Sequence, residues 1–439
     1  MDMKNRIRFV AYLSPPPAKV GYGEFADNPN HITEEDYRGM TDCGFDRAIG
    51  LFENRTYHYL AGMRQAERAG MDYLVRDQFR SGSLEGIIDH LNKGGKTTEM
   101  LLREKGDRIA ARFDKYSKQP AFSGILASDE PPATKFEAIR KVQDWFKERY
   151  PAKEFIVNLL PTYANAEQLS GIKDKEGFDY EKEYVGEFIR IVQPEILSYD
   201  HYALLYDWSK HENALRPDYL RNLEVFAEYS KQTGKPFYNF MLTIGHLYYR
   251  TQKTYEDIAW QVYTAMAYGA VGAQTFTYWT NLSNGESENI TNALVDRDGT
   301  RMPAWYAMQE VISEVRAFED VYMNFEWQGV LPVVADEYES NAMTDLLLTP
   351  LESHPRIRSA STTADAIIGA FKDGEGRDGF MLSNITDPAD NTGADITIEF
   401  NDAEKVVVYK KGRTLIYPLE DGKATFNLGS GEGWFIIPI

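Results

Sequence analysis

The stretch RFVAYLSPPP, residues 8–17, is where the choice of fold is made. Residues 8–13 carry the apolar and aromatic side chains of a buried strand. In an open, doubly wound α/β sheet that strand would run into a glycine-rich loop cradling phosphate, whereas here Ser14-Pro15-Pro16-Pro17 follows. Outward from it, strand patterns recur at Arg47–Phe52, Tyr73–Asp77, Ser123–Ser128, Phe155–Leu160, Ile196–Tyr202, Pro236–Leu242 and Ala273–Trp279. Helical patterns separate them, at Thr33–Asp42, Tyr57–Ala69, Leu84–Tyr116, Thr134–Arg149, Tyr180–Val192, Asp218–Gln232, Tyr255–Tyr268 and Ala304–Phe318. Thr33 ahead of Glu34, Glu35 and Asp36 reads as an N-cap with an acidic first turn. Gly44, Gly70 and Gly234 stand where helices should stop. A run of strand-then-helix units with no nucleotide loop predicts a closed parallel (β/α)8 TIM barrel.

Beyond about residue 330 the pattern shortens. Ala366–Phe371, Gly379–Ser383, Asp395–Phe400, Lys405–Tyr409, Thr414–Tyr417, Ala424–Asn427 and Gly433–Ile437 are separated by Gly, Asp and Asn turns and read as antiparallel strands. The expected fold class is therefore α/β, a TIM barrel over 1–320 followed by an all-β sandwich domain over 321–439, with 317–365 as the lead-in. Trp434, inside a Gly-Trp-Phe-Ile strand, reads as core.

The 439 residues carry 48 Lys and Arg against 67 Asp and Glu, a net charge of −19, which argues against a nucleic acid or an anionic membrane surface as partner. No stretch nears the roughly 20 apolar residues of a bilayer span, so no membrane insertion is expected. The start, MDMKNRIRFVAYLS, lacks the pattern of a secretory signal. The location is then cytoplasmic, or periplasmic or extracellular if a signal peptide has been removed. Cys43 is the one cysteine, which excludes an internal disulfide and a cysteine-based zinc or iron–sulfur site. Aromatic residues make up 13% of the chain, which suits a sugar-binding cleft as well as a packed core.

In a barrel of this kind the chemistry sits at the C-terminal ends of the strands. The fourth strand ends Ser128-Asp129-Glu130-Pro131-Pro132, two carboxylates ahead of a stiff exit that aims Glu130 at the mouth. Such a group serves as a general acid or base if its surroundings raise its pKa; the alternative is a cap on the following helix. The sixth strand ends Ser198-Tyr199-Asp200-His201-Tyr202, and alternation puts Ser198, Asp200 and Tyr202 on one face, Tyr199 and His201 on the other. Asp200 is the second carboxylate, unless it and His201 simply tie barrel strands together. Asp77 stands next to Arg76, a pairing that is structural more often than catalytic. Tyr278 and Trp279, after the eighth strand, offer a stacking floor for a sugar or, for Trp279, core filling. Tyr12, Asn158, Tyr202, Tyr238 and Asn239 supply polar groups for a hydroxylated ligand. His246, past the seventh strand, reads as a solvated loop histidine.

The run GILASDEPP (124–132), the aromatic-rich QTFTYWT (274–280) preceded by WQVYTAMAYGAVGA (260–273), and the closing GSGEGWFIIPI (429–439) together resemble bacterial barrel glycoside hydrolases. They are most similar to the β-galactosidase-like and cellulase-like enzymes of the large retaining clan. That resemblance implies a barrel with an appended β-sandwich, a carbohydrate substrate and no obligatory cofactor. It assigns the acid/base role to Glu130, with Asp129 replacing the clan's usual Asn. The clan's nucleophilic Glu on the seventh strand has no counterpart in Pro236-Phe-Tyr-Asn-Phe-Met-Leu-Thr243. A two-carboxylate mechanism must then recruit Asp200, with Asp77 next.

The leading expectation is a glycoside hydrolase with catalytic Glu130 and Asp200, and with Tyr12, Asp77, Asp129, Asn158, His201, Tyr202, Asn239, Tyr278 and Trp279 around the substrate. A barrel that binds carbohydrate without turnover is the alternative, suggested by the missing strand-seven carboxylate. A metal-dependent hydrolase built on Asp77, Asp129, Asp200 and His201 is disfavoured, because only 7 His occur and none is paired at ligand spacing. No metal site is expected.

Overall fold

The computed structural model describes residues 6–77, 82–90, 95–283, 290–335 and 342–439. Eight parallel strands close a barrel: β1 (Arg8–Tyr12), β2 (Arg47–Gly50), β3 (Asp72–Val75), β4 (Phe122–Asp129), β5 (Glu154–Leu159), β6 (Leu197–Asp200), β7 (Phe237–Leu242) and β8 (Gly272–Phe276). Closure is made by β1, which pairs with β2 on one side and β8 on the other. Helix boundaries follow local chemistry. Thr33 accepts a hydrogen bond from the Asp36 N–H, and Gly44, Gly70 and Gly234 end their helices in the left-handed conformation.

Side chains meet across the barrel in layers. At the N-terminal end Arg47 of β2 reaches Glu154 of β5 (Nη1 to Oε2, 2.6 Å) and Asp72 of β3 (3.3 Å). At the other end the layer is polar again, around Asn158. Between them the interior is apolar, which isolates the two polar ends from each other.

Three segments depart from the sequence expectation. The single helix expected over Leu84–Tyr116 is two, Leu84–Ile88 and Thr98–Tyr116. Gly95 is left-handed, and Thr97 caps the second helix by accepting from the Met100 N–H. After β6 an antiparallel hairpin, Leu204–Asp207 with Glu212–Leu215, is inserted before the next helix. The lead-in contributes two strands of its own, β9 (Phe325–Val333) and β10 (Ile357–Thr362).

The C-terminal region continues with β11 (Ala366–Asp373), β12 (Asp378–Asn384), β13 (Ala394–Phe400), β14 (Lys405–Lys410), β15 (Arg413–Pro418), β16 (Lys423–Leu428) and β17 (Gly433–Pro438). A six-stranded sheet, in the order β9-β11-β12-β17-β14-β15, faces a three-stranded one, β10-β13-β16. Two-residue periodicity decides what each side chain of the larger sheet does. Ile368, Leu382, Trp434 and Ile436 fill the sandwich, whereas Ile367, Met381 and Phe435 join the barrel core.

The helix Tyr255–Ala267 lies between barrel and sheet and is buried on all sides from Asp257 to Ala267, as its near-continuous apolar sequence requires. Two contacts seal this junction. The Trp327 indole N–H donates to the Ala267 carbonyl (3.1 Å), and Gly369 presses against the same group. A Cβ at position 369 would fall 2.1 Å from the Ala267 oxygen, and backbone on both sides leaves nothing to yield. Gly369→Ala is therefore expected to cost about 1–3 kcal/mol, read as a lowered midpoint in urea unfolding; an unchanged midpoint contradicts this packing.

Candidate active site

The C-terminal end of the barrel gathers Asp129 and Glu130 from β4, Asn158 from β5, Asp200 from β6 and Arg76 just past β3. A register shift between Leu126 and Ser128 bulges β4 and sets Asp129 opposite Asn158. The next residue, Glu130, has φ of 49°, the left-handed region that non-glycine residues avoid. Its backbone is pinned there: the Glu130 N–H donates to the Asn158 carbonyl (2.8 Å), and the Tyr184 hydroxyl donates to the Pro131 carbonyl (2.7 Å). No Asp129 or Glu130 side chain caps the helical turn at Ala133–Lys135, so the cap alternative does not apply.

Glu130 and Asp200 are hydrogen-bonded to each other through their carboxyl groups. Asp200 is 5% exposed, and burial first, then the charges of Glu130 and Asp129, push its pKa well above the ordinary range. Glu130 keeps its side chain open to solvent, yet it too is raised, by desolvation and then by Asp129. Repulsion between carboxyls in contact makes their titrations depend on each other and, added to burial, holds Asp200, the buried member, protonated above the ordinary carboxyl range. Asn158 supports it, its Nδ2 donating to Asp200 Oδ1 (2.8 Å) and Asp129 Oδ1 (3.1 Å). Arg76 holds Asp129 from the other side (Nη1 to Oδ2, 3.2 Å) and Glu85 through Nη2 (3.1 Å).

An aromatic floor lies below the pair. Phe276 is flanked by Tyr12 (ring centroids 5.9 Å) and Tyr202 (5.7 Å), both stacked on it, and it is the one partly exposed side chain between Gly272 and Thr280. The peptide bond following it is cis.

The structure thus brings together Tyr12, Asp129, Glu130, Asn158, Asp200 and Tyr202. The other expected residues lie elsewhere. Asp77 is tied to Arg112 of the helix Thr98–Tyr116, while Arg76 holds Asp129 and Glu85. His201 pairs with Asp218 (3.2 Å), behind the site, instead of with Asp200. Asn239 alternates with Tyr238 and Phe240, which point inward, and so faces the helices with its neighbour in register, Tyr199. Tyr278 packs edge-on against Phe45, and Trp279, 1% exposed, lies against His31. His246 is half-buried against Tyr249 and Phe276. Among the described residues no three His, Cys, Asp or Glu side chains form a metal-binding group.

Compared by sequence, the chain matches no family model and no curated protein. By fold it matches a family 39 glycoside hydrolase from the gut symbiont Bacteroides cellulosilyticus WH2, with a TM-score of 0.50 and 11% identity over 100% of this chain and 82% of that one. It also matches the α-L-fucosidase isoenzyme 2 from Paenibacillus thiaminolyticus, with a TM-score of 0.51 and 9% identity over 99% of both chains. The fold is that of barrel glycoside hydrolases. At such identities the likeness concerns architecture: a barrel and a C-terminal β-sandwich in one chain. Activity has to be judged from the side chains.

Phe276, Glu85 and Tyr163 belong to this end of the barrel and escape the sequence reading. Phe276 was discoverable, since alternation from Gln274 puts it on the inner face. Glu85 looks like any solvated charge on a helix. Tyr163 sits in the loop after β5, where no periodicity speaks for it.

A further carboxyl, Glu53, is buried behind the rim, taking hydrogen bonds from Tyr73 and from Ser14 Oγ (3.0 Å); burial raises its pKa to about 7. The folded state then binds more protons than the unfolded chain, so Glu53 lowers stability as pH rises from the usual Glu value of about 4.3 through 7. Glu53→Gln should flatten the loss of stability across that window in urea titrations run at several pH values. An undiminished slope assigns the titration to another group.

Proposed function

We propose that the protein hydrolyses O-glycosidic bonds of a carbohydrate, with Glu130 and Asp200 as its catalytic carboxyls. The observation that carries this reading is the hydrogen-bonded pair of carboxyls, both raised above the ordinary carboxyl range, at the end of a barrel beside the stacked rings of Tyr12, Phe276 and Tyr202. A glycoside leaves only if its departing oxygen is protonated, and at neutral pH an ordinary carboxylic acid has no proton to give. Glu130, the solvent-facing member, hands the proton to that oxygen. Asp200, buried behind it, keeps the proton available while the site is empty. Water then adds to the anomeric carbon and returns its proton to the pair, so atoms balance and the resting state is restored.

Asp129, Tyr12 and Tyr202 orient sugar hydroxyls, Asn158 keeps the acids in place, and Phe276 offers its face to the C–H side of the ring. Arg76 keeps Asp129 occupied, which leaves Glu130 as the free carboxyl at the opening. The β7 sequence FYNFML, without a carboxylate, motivates the second reading, a carbohydrate-binding barrel without turnover.

Glu130→Gln preserves shape and hydrogen bonding to Asp200 but removes the exchangeable proton. Its turnover of aryl glycosides should fall roughly 10²–10⁴-fold, with the unfolding midpoint not lowered. Asp200→Asn removes the partner with which Glu130 shares a proton, so the alkaline limb of the kcat/KM profile should move to lower pH. A Glu130→Gln protein as active as the parent removes the assignment; sugar binding by calorimetry without turnover of any glycoside by the parent protein selects the second reading.

A further inference from the structure

We propose that the hairpin inserted after β6 carries a second sugar-binding subsite, so that the substrate is an oligosaccharide and not a simple monosaccharide glycoside. The inference rests on the glycosidase reading of the carboxyl pair. The hairpin, Leu204–Asp207 and Glu212–Leu215, contributes nothing to barrel closure, because β6 pairs directly with β7. At its turn Trp208 is 59% exposed, and across from it Tyr248 is 45% exposed. Rings of that size normally contribute to stability by leaving water, and these two do not.

Their placement is specific. Tyr206 and Trp208 meet edge to face at 4.7 Å, and together with Tyr249 and His246 they border a cavity of about 270 Å3, room for one sugar ring and not for a folded peptide segment. The Tyr206 N–H donates to the Tyr248 carbonyl (2.7 Å), which fastens the hairpin to the loop after β7. Thr251 and Thr291 also line the cavity, their hydroxyls hydrogen-bonded to each other (2.8 Å) and Thr291 Oγ1 accepting from the Gly245 N–H (2.9 Å). Aromatic faces beside hydroxyls are what a saccharide ring needs: C–H faces stack, and equatorial hydroxyls exchange hydrogen bonds.

Packed rings join the cavity wall to the neighbourhood of the carboxyl pair, and His246 of that wall meets Phe276 at 5.9 Å. The Tyr249 hydroxyl donates to the Tyr163 hydroxyl (3.1 Å), and the Tyr249 ring meets the Tyr202 ring at 5.6 Å. Tyr202 in turn stacks on Phe276 of the floor. The Arg216 guanidinium lies 3.9 Å under the Tyr163 ring and donates to the Tyr249 hydroxyl (3.3 Å), which rigidifies this bridge. A chain of sugar units entering the mouth would therefore run from the floor beside Asp200 over Tyr249 to Trp208.

The experiment compares aryl monosaccharide glycosides with gluco-, xylo-, manno- and galacto-oligosaccharides of two to five units. In Trp208→Ala the ratio of kcat/KM on the oligosaccharide to that on the aryl glycoside should fall about tenfold, as expected for one lost stacking contact, and Trp208→Phe should restore most of it. An unchanged ratio, or an equal loss on both substrates, overturns the subsite. If the parent protein cleaves none of these glycosides, the glycosidase reading fails by itself. Calorimetry with the same oligosaccharides then decides the subsite: weaker binding in Trp208→Ala supports it, while equal binding or none by the parent protein overturns it.

Discussion

Two carboxyl groups in hydrogen-bond contact at the end of an apolar barrel resist becoming two anions. Burial and the neighbouring charges of Glu130 and Asp129 hold Asp200 well above the ordinary carboxyl range. The groups around the pair divide the remaining charge. Arg76 draws Asp129 away from the pair and satisfies it separately. Asp200 lies deep and Glu130 shallow, so in the proposed reaction one member would be the reservoir and the other the point of delivery. A single buried acid could hold a proton as firmly, but it could not present it to solvent.

Local distortion achieves this division. A regular β4 would carry Asp129 and Glu130 to opposite sides of the sheet, and only one could serve the site. The bulge ahead of Ser128 and the left-handed Glu130 bring the second carboxylate back over the opening. A non-glycine residue there costs on the order of 1–3 kcal/mol. That cost is borne by bonds on both sides of it, from Asn158 and from Tyr184. Pro131, with its fixed φ, extends the chain out of the distortion and prevents β4 from relaxing into another regular residue.

Much of this was legible in the sequence. The barrel followed from alternation and the missing nucleotide loop, and the importance of SDEPP from the absence of any packing reason for two acids there. Asp200 and Tyr202 followed from a two-residue period along β6. Alternation continues only while a strand does, and within the strand it sends every second side chain outward. Tyr278 and Trp279 lie beyond the end of β8 at Phe276, so their direction is set by the loop, whereas Asn239, inside β7, alternates with the inward Tyr238 and faces outward. Asp77 and His201 were judged by their neighbours in sequence, whereas their partners, Arg112 and Asp218, come from distant helices. Ion pairs made across the fold leave no local signature. The lead-in hid β9 and β10 for a similar reason, since their pairing with β11 and β13 is decided by strands that follow them.

The same long-range logic fixes the one amide on which the pair relies. Asn158 can present either its NH2 or its carbonyl to the carboxyls, and the wrong choice would set an oxygen against Asp129 and Asp200. The choice is made at the opposite wall of the barrel. Gln274 Nε2 donates to Ser198 Oγ (2.8 Å), so the Ser198 hydroxyl must send its own proton onward, to Asn158 Oδ1 (2.9 Å). With its oxygen engaged, Asn158 has both amide hydrogens left, one for each acid. Three uncharged side chains on β8, β6 and β5, each at an inward position, thereby determine the polarity of the site.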